Sequence, residues 1–473
     1  VTMWCDLIPP LFNAMPNGMS DNMVLQELQK RTGITLDITS TAITGAADAV
    51  SLQVASGDYP EIWSGFGSYY SGGIPEAIEQ EIILDLAEYK ENFPSFFEIL
   101  DTYPIYGKNA YTDDGNVGVL NGIWTNPVVD VGLAVRQDYL DELGLDEPKT
   151  LDDFYTALTA MKDKYGAYYY MNQDSSDPVN SFAQCFGVVG NASSSSNYAY
   201  YMAKDGEEVV FSPLEDGFKD YLETMAKWYS EGLIYADYYN YANEIMFDGT
   251  DMIGDGQVAL YYNEVGTMTT YAEYSKDPNF QVRAIAPVSQ EEGGKVYPTE
   301  FHYTPVDNAR WSITTTCPDP ELAVQLCDYM YTTDGILLAN YGVEGLSCEV
   351  VDGKPQYTEM MTNTEGTTLS AQKLDNCGPL ELLIDGTTPE PSYSEVAQEA
   401  PVIWGANKDG AYNIPEAVEM TADEGDEFNT YFSDIATLCR QYTVQFITGT
   451  KDLSEIDSFQ EQLNGMGVDT CCE

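Results

Sequence analysis

Near the start of the chain, apolar residues recur with two alternating periods. "VTMWCDLI" opens on β-branched and aromatic residues and is broken by Pro9-Pro10, which predicts a strand. In "SDNMVLQELQKRTG", Ser20 can cap, Val24 and Leu28 share a face, basic residues fill the last turn and Gly33 stops the run, which predicts a helix. "ITLDITS" alternates as a strand. Ala47, Val50 and Val54 return to helical spacing until Ser56-Gly57, and Pro60 then opens a short third strand, "PEIW", at a position that tolerates a missing N–H. Strands alternating with helices argue for an α/β sheet with parallel pairing. Such sheets bind ligands beyond the carboxyl ends of their strands, and Trp63 is expected to arrive there.

The same periods return downstream. "VGLAVRQDYLDELGL" reads as a strand running into a short helix. "TLDDFYTALTAMKDKYG" carries Leu151, Phe154, Leu158 and Met161 on one stripe, with Thr150 and Asp153 as a capping box. "DPELAVQLCDYMYTTDG" offers Asp319 as cap and Pro320 in the first turn. "LSEIDSFQEQLNGMG" places Ile456, Phe459 and Leu463 together. "YTDDGNVGVL" predicts a hairpin turning at Asp114-Gly115 between short strands. Residues 191–201 and 385–396 read as loops, and the acidic stretch 421–428, "TADEGDEF", reads as a solvated loop.

Composition narrows the class. A chain of 473 residues needs more than one core, two or three at about 150 residues each. With 77 Asp plus Glu against 20 Lys plus Arg, the formal net charge is −57. Nucleic acid, which requires dense basic patches, is excluded as a partner. No apolar run approaches the ~18 residues of a membrane span. The 9 cysteines lack any C-x-x-C spacing and accompany a single histidine, His302, so a zinc site is not expected and the thiols read as small buried side chains. Tyrosine is abundant, at 36 residues, and suits surfaces that grip a half-polar partner.

"LQELQKRTGI", "LQVASGDYPEI" and "GLAVRQDYLDELGLDEPKTLDDFYTALTAMKDKYG" follow one another in an order that resembles extracellular solute-binding proteins of carbohydrate ABC importers. "WSITTTCPDPELAVQLCDYMYTTDG", "YGVEGLSCEVVDGKPQYTE" and "FITGTKDLSEIDSFQEQLNGMG" continue it over most of the chain. The chain is similar to alginate-oligosaccharide-binding proteins and related Gram-positive lipoproteins. The resemblance implies a periplasmic-binding-protein-like (type II) α/β fold, with two lobes joined by a hinge, a ligand cleft between them and closure on binding. It implies a monomer without cofactor, an ABC permease as partner, and a lipid anchor on the outer face of the cytoplasmic membrane. Lobe 1 is expected over 1–122 and 266–316, lobe 2 over 123–265 and 317–473. Alginate binders carry a calcium loop after the helix, with Asp and Asn alternating; "DKYGAYYYMNQ" lacks that spacing, and no calcium is expected there.

A sugar presents apolar C–H faces and a fringe of hydroxyls, so its site needs flat aromatics with amides or carboxylates around them. Trp63 and Ser64 follow the third strand, against a competing reading of Trp63 as core. Trp124 and Asn126 lie in the hinge tract, where packing competes equally. Asn172 and Asp174 follow an aromatic strand. Tyr262, Asn263 and Glu264 end "VALYYNEVG", a loop in which the resembling proteins also place ligand contacts. Trp404 lies in a late insert where that family often supplies a stacking aromatic, and Tyr303 is a weaker candidate. Trp311 reads as core, and Arg136 as a structural partner of Asp138 or Asp141. Few basic residues lie near these loops, so a neutral oligosaccharide is favoured over a polyuronate. The rivals are a two-carboxylate glycosidase, for which there is no nucleophile motif, and the same fold holding a peptide or other small solute.

Overall fold

The computed structural model describes residues 1–7, 19, 22–70, 72–112, 114–124, 129, 131–170, 182–188, 201–204, 208–240, 252, 255–297, 306–362, 372–373, 376, 382–384, 393–407 and 422–472. Strands are numbered β1–β14 along the chain. The chain forms two compact units: Val1–Pro127 with Thr304–Ser392, and Val128–Tyr303 with Tyr393–Glu473.

The first unit is built on a six-stranded sheet in the order β14-β4-β11-β3-β1-β2. β1 (Thr2–Leu7) runs parallel to β2 (Asp37–Ala42), from Thr2 opposite Asp37 to Leu7 opposite Ala42. It is also parallel to β3 (Ile62–Ser64), with Trp4 opposite Trp63. β11 (Val306–Ile313) pairs antiparallel with β3 and with β4 (Leu120–Trp124), and β14 (Leu383–Ile384) pairs parallel with β4. The period of two sends Met3, Cys5 and Leu7 to a core shared with Val24, Leu25 and Leu28 of helix Met23–Thr32. It sends Trp4 the other way, to Ala46 and Val50 of helix Ala46–Ser56. The first helix is capped by Asn22, whose Oδ1 accepts from Leu25 N at 3.0 Å, and stops at Gly33 in the left-handed region, φ 73°. Ser20, the expected cap, lies outside the described residues.

In the second unit, β5 (Val131–Arg136) lies between β9 (Val258–Glu264) and β10 (Val282–Ile285), antiparallel to both. β6 (Tyr168–Tyr170) runs parallel to β9. Two hairpins stand outside the main sheets: β7 (Tyr201–Lys204) with β8 (Glu208–Phe211) in this unit, and β12 (Cys348–Val351) with β13 (Lys354–Tyr357) in the first. Arg136 is a structural group, as expected: its Nε donates to Asp138 at 2.8 Å and its Nη2 to Asp277 at 3.0 Å, and the guanidinium lies 3.8 Å over the Tyr139 ring.

The structure corrects several expectations. Residues 266–303 belong to the second unit and not to the first, because β10 pairs with β5 and helix Val265–Tyr274 grows directly from β9. Residues 317–392 belong to the first unit, because helix Pro320–Tyr329 buries Ala323, Val324 and Leu326 against that sheet. The division after Ser392 was not anticipated. The acidic stretch expected as a loop from Thr421 opens the helix Ala422–Ile447, in which Phe428, Phe432, Ile435 and Cys439 form a buried stripe. Ser394, placed in a loop, caps the helix Glu395–Trp404. Around Asp114-Gly115 the chain does turn, with Gly115 N donating to Thr112 O at 2.8 Å, but without flanking strands on both sides; Leu120 enters β4 and pairs with β11. Six cysteines (Cys5, Cys185, Cys317, Cys327, Cys348 and Cys439) are buried free thiols, and burial pushes Cys185 up to about 12.

The Thr150 capping box closes as predicted: Thr150 Oγ1 accepts from Asp153 N at 3.2 Å while Asp153 Oδ2 accepts from Thr150 N at 3.0 Å. Thr150→Ala removes the first bond and is expected to cost about 1 kcal/mol, seen as a lower denaturation midpoint for the second unit.

Candidate functional site

At the carboxyl end of β3, the helix Ala46–Ser56 stops at Gly57 (φ 71°), and the chain reverses into the sheet. Trp63 is fully buried. One ring neighbour, Phe66, stacks at 4.8 Å and 19°, and Tyr59 tilts against it at 5.0 Å. Its Nε1 donates to Gln53 Oε1 at 2.6 Å. The expectation of a sugar platform is therefore corrected: Trp63 shares a sheet face with Trp4 and packs under the helix, and Trp63→Ala would report lost packing of about 3–5 kcal/mol. Trp311 is core, as expected.

The strand end is reached by Ser64, half-buried, and by Gly65 at φ 86°, whose N–H donates to Arg310 O at 2.7 Å. Two residues that sequence reasoning missed converge here. Tyr69 donates its hydroxyl to Asp6 Oδ2 at 2.8 Å, and a Cβ on Gly65 would stand 3.0 Å from Asp6 Oδ1. Burial, then the bond to Asp6, raises the Tyr69 phenol above its ordinary range, so it remains a donor. On the neighbouring strand, Thr41 lies opposite Asp6 and accepts from Trp4 Nε1 at 3.1 Å. The signal for Asp6 was present: a lone carboxylate near the carboxyl end of a strand whose Met3, Trp4, Cys5 and Leu7 are buried.

In the second unit, alternation splits the "YYNE" of β9. Tyr261 is buried edge-on to Tyr271 at 5.1 Å, and Tyr262 faces the other way, half-buried. Asn263 stands opposite Gly132, and Glu264 opposite Val131. Glu264 leads into helix Val265–Tyr274, its carbonyl accepting from Thr267 Oγ1 at 2.5 Å. Trp404 ends its helix buried, donates Nε1 to Leu133 O at 2.9 Å, and lies so close to Gly132 that a Cβ there would meet ring atoms at 2.4 Å. One face of Trp404 is thus packing against the β5 backbone, not a free stacking surface.

Tyr262, Trp404 and Gly132 nevertheless meet Val131, Pro287 and Gln184 around a cavity of about 20 Å³. That admits a single water-sized group, such as a hydroxyl, and no sugar ring. Gln184 is 8% exposed, the one amide in "FAQCFG". Its signal was a polar side chain between residues that all read as core. Of the other expected residues, Trp124 ends β4 opposite Ile384, with its side chain outside the description, and Asn126, Asn172, Asp174 and Tyr303 lie outside the described residues. Among the described residues no group of three or more His, Cys, Asp or Glu is placed to hold a metal ion.

Gly132→Ala is expected to displace the Trp404 ring and cost about 1–3 kcal/mol by overpacking. A red-shifted tryptophan emission with a lower melting temperature would show it; an unchanged spectrum would mean that the ring does not rest on Gly132.

The family model described as bacterial extracellular solute-binding protein matches residues 24–345. The chain is 20% identical over 446 residues to the polygalacturonan/rhamnogalacturonan-binding protein YtcQ of Bacillus subtilis (strain 168), covering 92% of this chain and 84% of that one. Its fold is similar to the crystal structure of the alginate-binding protein AlgQ2 without calcium ion, with a TM-score of 0.79 at 21% identity, covering 100% of this chain and 96% of that one. It is similar also to the S. pneumoniae ABC-transporter substrate-binding protein FusA in complex with kestose, with a TM-score of 0.80 at 17% identity over 99% and 96% of the two chains. These likenesses establish the type II periplasmic-binding-protein-like α/β fold class.

Proposed function

The chain belongs to the bacterial extracellular solute-binding protein family, and on that premise we propose that it is the substrate-binding component of an ABC importer, capturing a neutral oligosaccharide by hinge closure and delivering it to a membrane permease. The family is one of binding proteins rather than enzymes. The observation that supports the sugar reading is the likeness to carbohydrate-binding relatives, FusA in complex with kestose among them; the cavity where Tyr262, Trp404 and the buried amide of Gln184 meet has room for a single hydroxyl. Ser64, Asn263 and Glu264 are ligand contacts in this proposal, and Trp124, Asn126, Asn172, Asp174 and Tyr303 keep the ligand-contacting role expected from their residue type and place in the sequence.

A neutral solute is supported by charge. At −57 the chain repels anions before any contact is made. YtcQ and AlgQ2 carry the names of anionic polymers, while FusA was captured with an uncharged trisaccharide. The proposal extends to a monomer held on the outer face of the cytoplasmic membrane by a lipid anchor, as its Gram-positive relatives suggest.

Calorimetry and thermal shift against kestose, maltotriose, cellotriose, trigalacturonate and a tripeptide test it. A neutral trisaccharide at one hundred times its Kd is expected to stabilise the protein by about 2.7 kcal/mol. Stabilisation by trigalacturonate alone would overturn the neutral class, and stabilisation by the peptide alone would overturn the sugar.

A further inference from the structure

We propose that Gln184 selects the solute by one free hydroxyl: its buried amide lines a cavity that takes a hydroxyl and nothing larger, so the sugar unit held there carries no linkage or substituent at that position. The inference rests on the sugar reading above and adds to it the residue that reads the solute and the group that is read.

The cavity lies wholly within the second unit and has a volume of about 20 Å³. Among the described residues no charged side chain lines it. One side is closed by the Trp404 ring, which rests on the Gly132 backbone. Val131, Tyr262 and Pro287 also line it and are only half-buried, so the cavity lies at the surface of the unit and is not sealed inside it. Trp404 has no donor to offer, because its Nε1 is spent on Leu133 O at 2.9 Å. Gln184 differs. It is more than nine-tenths buried, and among the described residues its side-chain amide has no hydrogen-bond partner. The turn that carries it, Ala183–Phe186, is tied down at the next residue: Cys185 Sγ donates to Val288 O at 3.2 Å, and Cys185 O accepts from Gln290 Nε2 at 3.1 Å. The amide is thus presented from a fixed backbone.

A buried amide left unpaired costs about 1–3 kcal/mol. A filling role would be served better by leucine or methionine, since Phe182, Ala183 and Cys185 beside it are all buried apolar residues. An amide at this place is explained by a group that completes it. One water-sized group needs roughly 10–15 Å³, which the cavity supplies. A hydroxyl has that size, and it both donates to Oε1 and accepts from Nε2 type groups. A methyl ether, a carboxylate or a glycosidic oxygen brings further heavy atoms for which there is no room. A deoxy carbon enters but leaves the amide unpaired. The hydroxyl that fits is therefore one at an unlinked, unsubstituted position of the sugar.

The test uses the full chain and whichever of kestose, maltotriose and cellotriose binds it most tightly, together with the monodeoxy and mono-O-methyl derivatives of that sugar. Each is titrated by calorimetry against the parent, Gln184→Met and Gln184→Leu. Both substitutions remove the amide with little change of volume, and a melting curve on each confirms folding. Each variant is expected to weaken the trisaccharide about 10-fold. One monodeoxy derivative is expected to lose about as much on the parent and nothing further on the variants, which is the mark of a direct pair. The O-methyl derivative at that same position is expected to show no measurable binding to the parent, a reading that needs no variant. A variant that binds the trisaccharide within twofold of the parent, deoxy losses that are equal on parent and variants, or tolerance of O-methylation at every position would overturn the role of Gln184 and leave the sugar reading standing. Failure of the parent to bind any of the three trisaccharides would remove that reading, and the role of Gln184 with it.

Discussion

The first unit depends on a single strand that is buried on both faces. β1 pairs parallel on either side, with β2 and with β3, and its residues divide between two cores. A strand so placed commits Met3, Trp4, Cys5 and Leu7 to packing, with Thr2 exposed at its start. Its acidic residue, Asp6, stands half-buried one position before the carboxyl end of the strand. Position thus confines chemistry to the carboxyl end, and the turn at Gly65 brings Tyr69 back over it.

The second unit solves the same problem with a close contact. Trp404 comes from a helix far along the chain and settles on Gly132 of β5, a place that only a residue without a side chain leaves free. The ring gives the strand a large apolar cover, and its N–H is satisfied by the Leu133 carbonyl. Trp4 and Trp63 are fixed in the same manner, by Thr41 and Gln53. Each indole buries its area and spends its one donor inside the fold. That pattern explains why Trp63, read as a platform at a strand end, proves to be a filler.

Much of the architecture was legible because it is local. The strand-helix-strand order of the first residues, the Thr150–Asp153 cap, the Gly33 and Gly57 stops and the Arg136–Asp138 pair all depend on neighbours a few positions away. The helix Ala422–Ile447 was obscured because its acidic opening masks the apolar stripe that follows. The unit boundaries were misplaced because β10 and β11 choose their partners across long stretches of chain, and nothing in their own composition records which sheet they join.

By itself the sequence determined the class of fold and the kinds of side chain available for recognising a sugar. Tertiary structure alone decided which of them are free to act. Period-two alternation assigns a residue to one face or the other, but whether that face meets a helix or a ligand depends on elements hundreds of residues away. Trp63 and Asp6 lie near the ends of paired strands; Trp63 is covered by Phe66 and Tyr59, and Asp6 is half-buried and held by the Tyr69 hydroxyl. Burial is a property of the assembled neighbours, and no local pattern contains it.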